Sequence, residues 1–169
     1  MGVREHKSQA PVSVNAAVIT VSTSRSLEQD KSGHWIAEQL REQGHKVIEH
    51  FVTPDLAPEI QSAVKRLVQS GEVSVVLING GTGVTPSDVT VEAVHPLFDK
   101  ELTAYGVLFA QLSFEEIGSA AMLSRAAAGV VGKTAVFCMP GSLGACKLAC
   151  TSLILPELGH LIKHIAKDS

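Results

Sequence analysis

The apolar run Val73 to Ile78 passes directly into Asn79-Gly80-Gly81-Thr82-Gly83, and this loop soon leads into Ser87-Asp88-Val89-Thr90-Val91-Glu92-Ala93. The run reads as a buried strand and the last segment as a helix start. That order commits the middle of the chain to a strand–turn–helix unit, and such a unit makes an anion site. Glycines let the backbone reach positive φ and let a ligand approach the main chain closely. Unpaired N–H groups and the helix dipole then attract phosphate. Glycines alone leave a second possibility open, a tight turn with no ligand. The acidic and hydroxyl residues just downstream favour the ligand, because a plain turn does not require them.

The loop is not a P-loop, because Gly83-Val84-Thr85-Pro86 stands where Gly-Lys-Ser/Thr would close that motif. The spacing of Gly80, Gly81 and Gly83 does not fit the dinucleotide fingerprint G-x-G-x-x-G either. A carboxylate at Asp88 would repel a bare phosphate. It makes sense with a divalent cation between them, because Mg²⁺ takes one or two carboxylates together with phosphate oxygens. The alternative is Asp88 as a helix N-cap, a role for which Thr90 competes.

Strand and helix patterns alternate along the rest of the chain. Val14 to Val21 reads as a strand, and Asp30-Lys31-Ser32-Gly33 opens a helix with Trp35, Ile36 and Leu40 on one face. Lys46 to Val52 is a second strand, followed by a helix that Pro58 starts and Gly71 closes. Val94, Leu97, Phe98, Leu102, Tyr105, Phe109 and Leu112 trace a long helical pattern that Pro96 kinks or divides. Thr134 to Met139 is a late strand, and Pro140-Gly141-Ser142 leads into a C-terminal helical region that Pro156 is expected to break. This alternation predicts an α/β fold with a mostly parallel sheet covered on both faces. Residues 1–12 read as a mobile arm ending near Pro11, and residues 13–169 as a single domain.

Composition narrows the function classes. A length of 169 residues, 45% apolar and 18% charged, suits one packed domain. A net charge of −3 argues against a nucleic-acid surface. No apolar run approaches the roughly 20 residues that span a membrane, and the polar N-terminus shows no secretory signal region. Cys138, Cys146 and Cys150 fit no zinc spacing and read as reduced packing residues of a cytoplasmic protein.

Ligands of such sheets bind outside the carboxyl ends of the strands. The loops expected there carry Ser22-Thr23-Ser24-Arg25, Asp55, Gly80 to Asp88, and Pro140-Gly141-Ser142. Two strand–glycine–helix turns on one edge suit a ligand with more than one anionic group. Asp55 and Asp88 could share a metal; a plain turn residue after Pro54 is the other reading of Asp55.

Several motifs, in order, resemble the molybdopterin-binding family of molybdenum cofactor biosynthesis, and most of all its MoaB branch. They are Asp30-Lys31-Ser32-Gly33, Gly80-Gly81-Thr82-Gly83, Asp88-Val89-Thr90-Val91-Glu92, Phe114-Glu115-Glu116-Ile117-Gly118, Leu123-Ser124-Arg125 and Pro140-Gly141-Ser142. The resemblance runs from about Val14 to the C-terminal helix. It implies a three-layer α/β/α sandwich of the molybdopterin-binding type. It implies an adenylyltransferase that takes molybdopterin as substrate and ATP as co-substrate, with Mg²⁺, and releases pyrophosphate. It further implies a homo-oligomer, a trimer or hexamer, and admits contacts with other enzymes of cofactor biosynthesis. By position, Asp55 and Asp88 match the two aspartates linked to adenylyl transfer, as catalytic and metal-binding residues. Ser22, Thr23, Gly80, Gly81, Thr82, Gly83, Ser87, Thr90, Ser124, Pro140, Gly141 and Ser142 fall at ligand-binding positions. Arg125 either pairs an anionic group or anchors a helix end.

This chain departs from the family pattern at three places. Many members carry aspartate where this chain has Thr23 or Ser24. Many carry arginine at the place of Ser87, and lysine at the place of Gly144, for which Lys147 is a possible substitute. The lost cations keep open an alternative, a protein of the same pathway that binds molybdopterin without turnover. A more distant rival is a flavodoxin-like carrier that uses Ser22 to Ser26 as a phosphate loop, with Trp35 and Tyr105 to flank a flavin. A Cβ at Gly81 or Gly83 is expected mainly to cost ligand affinity.

Overall fold

The computed structural model describes residues 13–167, so the expected arm at residues 1–12 lies outside the described residues. In chain order the elements are β1 (Asn15–Val21), α1 (Lys31–Glu42), β2 (Lys46–Thr53), α2 (Ala57–Ser70), β3 (Val75–Asn79) and α3 (Thr90–Val94). There follow β4 (Lys100–Glu101), α4 (Thr103–Ile117), β5 (Ala127–Val131), β6 (Thr134–Met139), α5 (Leu143–Ala149) and α6 (Leu155–Ala166). The strands form one six-stranded sheet in the order β2-β1-β3-β6-β5-β4. The β1–β2, β1–β3 and β3–β6 pairs are parallel, while β5 runs antiparallel to both β6 and β4.

Strand alternation builds two cores. Val18, Val75, Leu77, Phe137 and Met139 face one side, where they meet Ile36 and Leu40 of α1, Phe109 of α4 and Leu158 of α6. Ile19, Val76, Ile78 and Cys138 face the other side, against Ile60, Val64 and Leu67 of α2 and Val94 of α3. The result is the expected three-layer α/β/α sandwich. Each fully buried Ile, Val or Leu contributes about 1.5–3 kcal/mol of hydrophobic stabilisation before entropy is counted. Local signals set the helix ends. Asp30 caps α1 by accepting from the amide of Gly33 at 2.9 Å. Gly71 ends α2 in the left-handed region, at φ 69°.

The structure differs from the sequence reading in the second half. Pro96 divides the long helical pattern. It sits in a 3₁₀ turn, His95–Leu97, and the chain then forms β4 before α4 begins at Thr103. Strand β5 carries no strand signal in its first three residues, because Ala127, Ala128 and Gly129 have no branched or aromatic side chain. At Gly129 smallness has a tertiary cause: a Cβ there would lie 2.3 Å from the ring of Phe98. Pro156 does not break the C-terminal helix. A π-helical turn at Cys150–Ile154 shifts the hydrogen-bond ladder, and Pro156 falls in the first turn of α6, where its missing N–H costs little. The continuous helix Leu143–Ala166 is 24 residues long and apolar enough by composition to span a membrane. One face of it packs on the sheet, burying Cys146, Ala149, Cys150, Ile154, Leu155 and Leu158.

Candidate functional site

The carboxyl ends of β1, β3 and β6 open onto a cleft of about 310 Å³. Its lining includes Ser22, Gly80, Gly81, Thr82, Gly83, Asp88, Ser124, Pro140, Gly141 and Ser142, so most of the expected ligand-binding positions do converge. The two glycine turns meet back to back. The amide of Gly80 donates to the carbonyl of Met139 at 3.0 Å, and a Cβ on Gly141 would stand 3.0 Å from Cα of Gly80. Ser142 caps α5 by accepting from the amide of Ala145.

The remaining expected residues lie around this cleft and not in its lining. Thr90 is buried, and its hydroxyl donates to the carbonyl of Gly80 at 2.8 Å, so it ties the loop to α3. Ser87 is exposed, with its hydroxyl 3.0 Å from that of Thr85. Thr23 and Asp55 stand together at the edge of the glycine loop. Oδ2 of Asp55 accepts from both the amide and the hydroxyl of Thr23, at 2.7 and 2.8 Å. Oδ1 of Asp55 lies 3.3 Å from where a Cβ of Gly81 would be.

Asp88 is not a helix cap. Val89 occupies the N-cap position of α3. The Asp88 carboxylate folds back instead, and its Oδ2 accepts from the hydroxyl of Thr85 at 2.6 Å and from the amide of Thr85 at 2.9 Å. The Thr85 hydroxyl is the main cause that holds Asp88 below the usual carboxylate range. Burial opposes it, while the amides of Thr85 and Gly83 and the charge of Arg125 add to it. The group is therefore ionised near neutral pH, beside Gly83.

Arg125 acts as an anchor. Its Nε donates to the carbonyls of Thr82 and Gly83, at 3.1 and 3.0 Å, and its guanidinium pairs with Glu92. It thus clamps the glycine loop to α3. Lys147 does not reach the cleft lining. Its ammonium lies over the ring of Trp35, 5.8 Å from the centroid. Tyr105 does not flank a ligand; it is a core residue whose hydroxyl donates to the carbonyl of Cys138 at 3.4 Å.

Besides Val21 at the end of β1, three lining residues lie outside the expected site. Arg25 brings a cation to the cleft from the loop after β1, where the Ser-Thr-Ser-Arg string was its only local signal. Leu123 supplies an apolar wall. Asn79 forms part of the floor. Its Nδ2 donates to Thr20 Oγ1 at 2.8 Å, while its buried Oδ1 has no hydrogen-bond partner among the described residues. A buried acceptor left unpaired is costly, and a ligand donor or a water would satisfy it.

Comparison with known proteins bears on the family and the fold. Residues 17–160 match the family described as "Probable molybdopterin binding domain". The molybdenum cofactor biosynthesis protein B of Bacillus cereus is 51% identical over 162 residues, which cover 95% of this chain and 96% of that protein. A crystal structure of a molybdenum cofactor biosynthesis protein B superposes with a TM-score of 0.90 at 49% identity, covering 93% of this chain and 98% of that one. The tungsten cofactor synthesizing protein MoaB of Pyrococcus furiosus superposes with a TM-score of 0.82 at 38% identity, covering 92% of this chain and 99% of that one.

Proposed function

Since the chain belongs to the molybdopterin-binding family of molybdenum cofactor biosynthesis, in its MoaB branch, we propose that its cleft binds molybdopterin and ATP and adenylylates the pterin. The observation that carries this reading is the pairing of two back-to-back glycine turns with ionised Asp88 on one sheet edge. Backbone amides of the turns donate to phosphate oxygens, which asks little reorganisation of the protein. Arg25 offsets part of the ligand's negative charge. Asn79 Oδ1 accepts from a ligand N–H or O–H at the floor.

The carboxylates of Asp88 and Asp55 are hard oxygen donors, the type that Mg²⁺ selects. They would hold the ion beside the glycine loop, where it supplies charge neutralisation for phosphates. In the proposed reaction, a terminal phosphate oxygen of molybdopterin forms a bond to the α-phosphorus of ATP. The bond from that phosphorus to the β-phosphate oxygen breaks, and pyrophosphate leaves. The attacking phosphate is already ionised, so no general base is required. The protein contributes positioning and electrostatic complementarity. The three unpaired, buried cysteines suit work in the cytoplasm.

Release of pyrophosphate from molybdopterin and Mg-ATP tests this function. Tight molybdopterin binding without pyrophosphate would establish the non-catalytic alternative, which the absence of a cation at Ser87 and Gly144 favours.

A further inference from the structure

We infer that Asp30, His34 and His50 form a binding site for a divalent transition-metal ion of the zinc class, separate from the carboxylates of the cleft. One potential ligand atom from each residue lies within 4.8 Å of the others. Asp30 caps α1, His34 follows one helical turn later, and His50 comes from the edge strand β2. Two imidazoles and one carboxylate form a recurrent zinc donor set that leaves a fourth position for water. Nitrogen donors make the set unsuited to Mg²⁺.

The surroundings hold these groups in place. His34 Nδ1 lies 2.7 Å from the backbone carbonyl of Asp30. A carbonyl only accepts, so Nδ1 carries the hydrogen and Nε2 keeps its lone pair for a metal. A hydrogen bond of this kind fixes the tautomer and orientation of a metal-binding histidine. Asp30 Oδ2 accepts from Thr20 Oγ1 at 2.5 Å, and Oδ1 accepts from the amide of Gly33. His50 Nε2 lies 2.8 Å from Asp30 Oδ2. An arriving ion takes the place of the hydrogen between those two atoms, and exchange through solvent leaves the neutral ring with its hydrogen on Nδ1. Gly33 makes the convergence possible, because a Cβ there would lie 2.0 Å from Asp30 Oδ2 and 2.5 Å from His50 Nε2. Asp30 is fully buried while His34 is exposed, which gives the ion an anchored base and an open approach.

The site also connects to the cleft. Thr20 bridges Asp30 to Asn79 of the cleft floor, and Ser32 Oγ donates to the carbonyl of Gly141 at 2.9 Å. A bound ion would therefore stiffen the start of α1 beneath the second glycine turn.

Calorimetry and visible absorption test the site on untagged full-length protein, freed of metal with a chelator and titrated with Co²⁺ and then Zn²⁺. We expect saturable binding near one equivalent per chain, with cobalt d–d bands that Zn²⁺ displaces. His34→Ala changes an exposed residue, so the fold persists, and affinity should fall at least about tenfold. His50→Gln should do the same. The histidine pair on α6, His160 and His164, has Nε2 atoms 2.9 Å apart and is the competing location. His160→Gln should leave the titration unchanged. Absence of saturation at micromolar metal overturns the inference. So does binding that survives His34→Ala and His50→Gln, or binding that His160→Gln abolishes.

Discussion

Thr23 grips one oxygen of Asp55 with both its amide and its hydroxyl, at 2.7 and 2.8 Å, and receives the amide of Asp55 on that same hydroxyl at 3.1 Å. The loops after β1 and β2 are thereby locked to each other, and Oδ1 of Asp55 is left facing the glycine loop. Thr23→Val keeps the amide bond and removes the hydroxyl. Adenylyl transfer should fall about tenfold, the size of one partly replaced charge-assisted hydrogen bond. Thr23→Ser should restore it. Equal activity of the valine and serine variants would show that the hydroxyl does not position Asp55.

Asp88→Asn nearly preserves shape but removes the charge beside Gly83. Mg-dependent pyrophosphate release should drop by about a hundredfold or more, with a melting temperature close to that of the parent. Asp55→Asn should act in the same direction and less severely. Chelation of Mg²⁺ should abolish release in the parent. Parent-like turnover of Asp88→Asn would reduce Asp88 to a loop-closing residue, bonded to Thr85.

The two loop glycines should now behave differently, which corrects the expectation that both mainly serve affinity. Gly81 has φ +66°, and a Cβ there would stand 2.3 Å from Thr90 Oγ1. Gly81→Ala should cost about 1–3 kcal/mol of stability in addition to affinity. Gly83 has no positive φ, and the atoms nearest to its Cβ would be those of the Asp88 side chain, with Oδ2 at 2.6 Å. Gly83→Ala should displace that carboxylate, leave the melting temperature nearly unchanged and lower Mg-dependent ligand affinity about tenfold. Melting curves and ligand titrations of both variants check this, and the reverse pattern would refute it.

The three cysteines should resist thiol reagents in the folded protein. Burial pushes the thiols of Cys138 and Cys146 up to about 12, and that of Cys150 higher still. The thiolate is the reactive form, so a chromogenic disulfide at pH 8 should titrate almost no thiol until denaturant is added. Then it should titrate three. Fast reaction of even one in native buffer would show that this core opens.

Helix α4 and the turn after it leave Val107, Phe114, Ile117 and Met122 exposed, at 68%, 62%, 54% and 82%. Val107, Phe114 and Ile117 follow helical spacing along one stripe. An apolar stripe of this kind suits a subunit contact. Light scattering should find a trimer or a multiple of it at micromolar concentration, and Phe114→Glu should shift the population toward smaller species. A monomeric parent would contradict this.

Local pattern was sufficient for β1, β2, β3 and β6, for the caps at Asp30 and Gly71, and for the cleft's glycine turns. These features are written in contiguous residues, because a buried strand needs an apolar run and a sharp turn needs glycine. Tertiary structure alone decided that Ala127–Val131 is a strand, paired along β6, with the Phe98 ring filling the space that a side chain at Gly129 would take. It decided that Arg125 clamps the loop, because its partners Thr82, Gly83 and Glu92 lie more than thirty positions away. It also brought His50 to Asp30 across a separation of 20 residues, where no spacing rule for metal ligands would look. A chain pattern records what each segment must bury or turn. Which distant groups then meet depends on the order in which the strands pair, and that becomes visible only once the sheet is assembled.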